Sequence, residues 1–421
     1  MILDSNNTKY IGMRYFIYMT KEKILTYACR YTDFYKEKFS GFSDNCNWLD
    51  LPIVSKSEIL HAGISIISNL YYKEFYNNNL MNDYTSGTTG ECLEIYTTRA
   101  EEVAKLLSLW KYRKKYYGIN TSDKFCYFYT YHSNVQDSNW DYNERSLGIS
   151  KEYLLQEHLE EIYLKIYQFN PKWLLLQPSI AMILSRYIFE FGVDIIPSLQ
   201  YIELTGEFFT AEQKKFISSA FEVPVASQYG SNEIGTIAYE CPCGNMHIME
   251  NNVHVDIMPV KEKDKTDYTN GKYGHLIITA KNNKVMPFVR YDIGDIGRLR
   301  NVNCNCGHDT PIIELYGARK DDMIQLKGGG QLSANVFRKI FRQVMNVIDG
   351  TIFQYQVIQK NIDDFLIMLA TDEDKICVEN AIYFFLNQTI LKHAKLKFEF
   401  YMYIIPDKKI GKHRFFVNEK V

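Results

Sequence analysis

The chain has 421 residues, 46% hydrophobic and 23% charged, a composition that builds a dense core and excludes disorder, at a length that suits a large domain plus a smaller one. Its 48 basic and 50 acidic residues give a formal charge of -2 with no long run of one sign, which excludes an electrostatic nucleic-acid binder. No apolar run reaches the ~18 residues of a membrane span, and the first twenty residues carry Asp4, Lys9 and Arg14 without a small-residue cleavage site, so no membrane partner and a cytoplasmic location are expected.

Between residues 93 and 230 short apolar runs alternate with amphipathic segments, the pattern of an α/β domain. Leu93 and Ile95 lead into a capping box, Thr98 with Glu101, then Val103, Leu106, Leu107 and Trp110 at helical spacing. Residues 124–131 read as a buried strand, 151–168 as a helix and 172–176 as a strand. A helix opens at Pro178 and stops at Gly192, and strand 199–205 leads to helix 210–221. The stretch 230–318, with HLIIT at 275–279, reads as sheet and loop. Residues 322–421 give strand, helix, strand, strand, helix, strand. The expected architecture is therefore α/β: a large N-terminal domain (1–318) of mixed sheets flanked by helices, a hinge at 319–321, and a small mobile α+β C-terminal lid domain (322–421).

The sharpest local motif is Thr85-Ser86-Gly87-Thr88-Thr89-Gly90, just before a strand. Glycines let backbone N–H groups converge on anionic oxygens, and the hydroxyls add donors, so such a loop can wrap phosphate. Glu91 follows the last glycine where the nucleoside-triphosphatase loop needs lysine, so that motif is absent. Taken alone, the loop reads equally well as a surface turn.

Further segments follow in a fixed order: LTGE (204–207), QYGSNE (228–233), RYDIGDIG (290–297), GARKDDMI (317–324) and GKHRFF (411–416). Together they resemble the signature series of the adenylate-forming superfamily of acyl-CoA synthetases, peptide-synthetase adenylation domains and luciferases, on the side of the phenylacetate-CoA ligases and their capsule-biosynthesis relatives. The resemblance implies that Thr85 to Gly90 hold the ATP phosphates and that Glu233 binds Mg2+. Tyr229 and Gly230 would stack along the adenine or line the acyl pocket, and Gly206 and Glu207 would form part of the nucleotide wall. Asp295 would grip the ribose hydroxyls, approached by Arg319, and Asp321 would be the hinge residue. Lys412 would bridge the acyl carboxylate and the α-phosphate. Asn232 stands where the family usually has threonine, and its amide can still donate. Without the other motifs, Lys412 would read as a frayed surface residue, Asp295 as a turn former and the GARKDD segment as a solvated loop.

The implied reaction is ATP-dependent activation of a small carboxylic acid as acyl-AMP with pyrophosphate release, then transfer to CoA. Carboxylate attack on phosphorus brings two anions together, so cations and oriented donors are required. Tyr129, Tyr131, His132 and Trp140 lie where relatives line the acid pocket, which favours an aryl or arylacetic acid. A carrier-protein thiol or an amine is the alternative acceptor, and an inactive zinc-stabilised scaffold is the reading from another class. A homodimer is one assembly such a chain could form. Lys320-Asp321 is the expected swivel, and the glycines of Lys327-Gly328-Gly329-Gly330 read either as a site of close acceptor approach or as a loose connector.

Nine cysteines, an odd count, argue against a disulfide framework. Cys241-Pro-Cys243-Gly and Cys304-Asn-Cys306-Gly are matching CxCG turns 63 residues apart, and two thiolate pairs suit a structural Zn2+ with no open position. His247 is the alternative ligand, and reduced packed thiols are the competing reading. Cys29, Cys46, Cys92, Cys126 and Cys377 read as ordinary buried side chains.

Overall fold

The computed structural model describes residues 19–41, 47–85, 92–130, 139–259, 273–319, 322–407 and 411–419. The alternating region builds parallel sheet: Val225–Ser231, Tyr201–Thr205, Trp173–Leu176, Phe125–Tyr129 and Ser146–Ser150 lie side by side in that order. Helices Leu159–Phe169, Pro178–Phe191 and Ala211–Phe221 supply crossovers, since parallel strands need a long connection back to the same edge. The Cys- and Gly-rich region extends the same sheet with antiparallel strands, giving one continuous 12-stranded sheet. Among the described residues no helix is long and apolar enough to cross a membrane.

Local signals place most boundaries. Thr98 and Glu101 form the expected reciprocal cap of helix Arg99–Tyr117, and Glu101 also accepts the Val285 N–H at 2.9 Å. Thr98→Ala is expected to cost about 1 kcal/mol, read as a lower urea midpoint at unchanged slope. Pro178 sits at the first helical position and Gly192 caps the far end in the left-handed conformation. The helix expected over 151–168 starts only at Leu159. Lys151–Tyr153 and Gln156–His158 are short 3-10 turns instead, because the Lys151 side chain is buried and bonded to a distant loop, a tertiary contact that overrides helix propensity.

Apolar clusters form under the parallel strands, under the antiparallel strands, and within the C-terminal unit. Beneath the parallel strands lies a polar knot: Arg113 Nε donates to Glu203 Oε2 at 2.8 Å, and the Tyr201 hydroxyl donates to the same oxygen at 2.6 Å. Tyr239 closes it, its hydroxyl 2.6 Å from that of Tyr201, while the guanidinium lies between the Trp110 and Trp173 rings. Glu203 is fully buried.

The C-terminal unit has the expected elements and two further strands, Gln331–Ser333 and Phe416–Asn418. Its sheet runs Lys395–Phe400, Asp364–Thr371, Ile352–Asn361, Phe416–Asn418, packed against helices Asn335–Val344 and Lys375–Leu386. The Gly328-Gly329-Gly330 run is the turn of a small hairpin, Met323–Gln325 with Gln331–Ser333. Phe353 and Tyr403 leave this unit and join the core under the parallel strands, where Arg186 lies over both rings at 4.5 and 5.4 Å. Gln354 bonds the Ile404 backbone in both directions and reaches the Ser179 carbonyl.

Candidate active site at the C-terminal unit

A cavity of about 2050 Å³ opens where the carboxyl ends of the parallel strands meet the C-terminal unit, the usual location for a ligand in an α/β sheet. Gly206, Glu207, Tyr229, Glu233, Asp295 and Lys412 all line it. Residues more than 200 positions apart in sequence thus share one space.

Glu233 is buried on the turn after strand Val225–Ser231. Its Oε1 accepts from the Tyr291 hydroxyl at 3.2 Å, and its carbonyl accepts from the Asn283 amide at 2.7 Å. The Asn232 amide reaches the Tyr84 carbonyl at 2.9 Å, which ties this turn to the strand preceding the Thr85 loop. Thr85 itself is buried and closes the neck of that loop, its Oγ1 accepting from the Leu93 N–H at 2.9 Å. Gly230 is required by close approach: a Cβ there would lie 2.3 Å from the Gly235 carbonyl oxygen. The Tyr229 hydroxyl donates to Asp295 Oδ2 at 2.8 Å, and Asp295 faces Arg319 in the adjoining strand register.

Lys412 enters from the C-terminal unit. Its Cε lies against Gly206, where a Cβ would come within 3.7 Å. Glu207 accepts three hydrogen bonds: from the Ser179 N–H and hydroxyl at 2.9 and 3.0 Å, and from the His413 N–H at 2.6 Å. His413 Nε2 lies 2.9 Å from the Tyr355 carbonyl, and burial holds the imidazole below its usual pKa against the pull of Glu207. Lys151 Nζ donates to the Gly411 carbonyl at 2.7 Å. Burial lowers the Lys151 ammonium to about 8, Glu207 working against that shift and Lys412 with it.

Ser86, Gly87, Thr88, Thr89, Gly90, Asp321, Tyr131, His132 and Cys46, and the side chain of Arg319, lie outside the described residues. Tyr129 lines the cavity. Trp140 does not: it packs edge-on against Tyr153, 5.5 Å between ring centres, on a strand at the sheet edge. Sequence reading missed Lys151, Ser179 and Tyr291. For Ser179 a signal existed, because the N–H groups behind a helix-opening proline need an acceptor.

The cysteine turns also converge. Cys241, His247, Cys304 and Cys306 bring their donor atoms within 4.8 Å of one another. Cys243, expected as a ligand, is exposed on the hairpin yet its thiol interacts with those of Cys304 and Cys241, and strand Met246–Ile248 places His247, the alternative ligand, beside Cys241. The Cys241 and Cys304 sulfurs are 3.7 Å apart, too far for a disulfide and close to the ~3.8 Å of two thiolates on one tetrahedral zinc. His247 Nδ1 faces the Thr310 carbonyl at 3.1 Å, leaving Nε2 3.3 Å from the Cys306 sulfur, the orientation a ligating imidazole takes. Of the remaining cysteines, Cys126 is buried and Cys29 half-buried, but Cys92 and Cys377 are exposed.

No family model matches the chain. It is 24% identical over 414 residues to Protein CapK of Staphylococcus aureus, covering 94% of this chain and 87% of that one. It is 27% identical over 198 residues to phenylacetate-coenzyme A ligase of Thermus thermophilus, covering 46% and 43%. In fold it matches 2-hydroxyisobutyryl-CoA ligase in the postadenylation state with a TM-score of 0.70 at 14% identity, over 95% of this chain and 88% of that one. The same ligase in the thioesterification state gives 0.57 at 16% identity, over 94% and 88%. The chain therefore shares the fold of this acyl-CoA ligase, and its sequence is similar to Protein CapK over nearly its whole length and to a phenylacetate-coenzyme A ligase over about half of it.

Proposed function

We propose that the chain activates a carboxylic acid with ATP and passes the acyl group to CoA. The observation that carries this reading is that Lys412 and Glu233, brought from opposite ends of the fold, line one cavity together with the Tyr229–Asp295 pair. In the first half-reaction a carboxylate oxygen bonds to the α-phosphorus of ATP, the bond to pyrophosphate breaks, and acyl-AMP results. Lys412 neutralises the approach of the two anions, while Asp295, oriented by Tyr229, accepts from the ribose hydroxyls. Arg319 approaches the same ribose, and Gly206 offers a surface without a side chain. Glu233 is a buried carboxylate in the cavity wall, a fit for a hard divalent cation. With Asn232 beside it, it would hold Mg2+, which supplies charge neutralisation to the phosphates.

In the second half-reaction the CoA thiolate attacks the acyl carbon and AMP leaves. Residues 1–318 form the ATP- and acyl-binding domain, 319–321 the hinge about Asp321, and 322–421 the lid, whose Gly328–Gly330 turn approaches the thiol after rotation. An aryl or arylacetic acid fits the aromatic Tyr127 and Tyr129 in the cavity wall. A panel of acids assayed for pyrophosphate release with and without CoA tests the reading. Acid-dependent release that turns over only with CoA is expected; turnover only with an amine or carrier thiol moves the acceptor, and no ATP binding sinks the proposal.

The Cys241, His247, Cys304 and Cys306 cluster is proposed to hold one structural Zn2+. Four protein ligands close the coordination shell, so the ion would brace the hairpin rather than react.

A further inference from the structure

The loop that carries Lys412 is fastened to the N-terminal domain on both sides of that residue, and both fastenings grip its backbone. Before it, the Gly411 carbonyl accepts from Lys151 Nζ at 2.7 Å. After it, the His413 N–H donates to Glu207 Oε1 at 2.6 Å. Glu207 is itself anchored by the Ser179 N–H and hydroxyl at the start of helix Pro178–Phe191, where unsatisfied N–H groups and the helix dipole favour a carboxylate. Lys151 is only 7% exposed and stands directly after strand Ser146–Ser150. The seat is closely fitted: a Cβ on Gly411 would lie 2.1 Å from Thr130 Oγ1 and 3.1 Å from Lys151 Nζ, and Gly411 has a φ of +65°.

The Lys412 side chain lies against Gly206. We propose that Lys151 and Glu207 are positioning residues, a two-point clamp that sets Lys412 over the cavity for adenylation and must open before the acyl group is transferred. This rests on the ligase reading above. The clamp needs a long side chain with a donor at 151, because the Gly411 carbonyl accepts from Lys151 Nζ in a buried site. It also needs an acceptor at 207, because the His413 and Ser179 N–H groups converge there. Displacement of a reacting group by about 1 Å is enough for a rate loss of about 100-fold.

The test uses the full-length protein with Lys151→Met, Lys151→Arg and Glu207→Gln. Amide hydrogen exchange in segment 411–416 is read first, without any ligand. It is expected to speed up about tenfold or more in Lys151→Met and Glu207→Gln, with strands Ile352–Asn361 and Asp364–Thr371 unchanged, and to return toward the parent in Lys151→Arg. Acid-dependent pyrophosphate exchange is expected to fall about 10- to 100-fold in the same two variants. Thioester formation from added acyl-AMP should stay within about twofold or rise in Lys151→Met. Unchanged exchange in 411–416 overturns the clamp, as does an equal loss of both half-reactions in folded protein. If the parent protein is inert with every acid, the ligase reading fails, and the clamp still stands or falls on the exchange measurement alone.

Discussion

Replacing Lys412 with alanine is expected to lower acid-dependent pyrophosphate exchange by about 100- to 1000-fold while thioester formation from added acyl-AMP continues near its usual rate. The reasoning is electrostatic. The carboxylate and the α-phosphate must approach within bonding distance, and negative charge grows on the phosphoryl oxygens as they do. A lysine held in place at that point stabilises the transition state more than the separated anions, so its loss appears in the rate of the first step. Lys412 meets the geometric requirement: it lines the cavity with Glu233 and lies against Gly206. It makes no such demand on the second step, in which a neutral acyl carbon is attacked. The Lys151→Met variant keeps the charge and loosens its seat, and so should lose less. Equal loss of both half-reactions in Lys412→Ala would refute the assignment.

Protein purified without chelator is expected to carry one zinc ion per chain, and Cys304→Ala to lose it together with a large part of its thermal stability. Zinc supplies about 10–16 kcal/mol to an isolated finger peptide, which has no other structure. Here the hairpin is already held in the 12-stranded sheet, so the expected cost is smaller, about 5 kcal/mol, against a total stability of about 5–15 kcal/mol for an ordinary domain. Cys377→Ser, at an exposed cysteine in the C-terminal unit, provides the control and should change neither zinc content nor melting temperature. Zinc-free protein with an unaltered melting temperature in Cys304→Ala would leave the four residues as packed thiols and an imidazole.

Much of the fold was legible because its signals are local. A reciprocal cap at Thr98 and Glu101, a proline at 178 and a left-handed glycine at 192 each act within a few residues. The site was legible for another reason: its motifs keep a fixed order along the chain, although no one of them is specific. What escaped notice depends on contacts across the fold. Lys151 looks like an ordinary helix-opening residue until the Gly411 carbonyl, 260 positions away, is placed above it. Glu207 reads as part of a nucleotide wall, but three N–H and O–H groups from two domains converge on it. The nearness of His247 to the cysteines is set by the pairing of strand Met246–Ile248 with its neighbour, a contact that the CxCG spacing does not reveal.

The polar knot around Glu203 bears on how the sheet avoids misassembly. Parallel strands rich in leucine, isoleucine and tyrosine offer little to tell one alignment from the next, and a shift by a single residue inverts every side chain. In such a shifted sheet Glu203 would lose Arg113, and Tyr201 would lose Tyr239, leaving a buried carboxylate without its counter-charge at a cost of about 3–5 kcal/mol. The knot thus works as an alignment mark: it tells the growing sheet which neighbour, and which offset, is the right one.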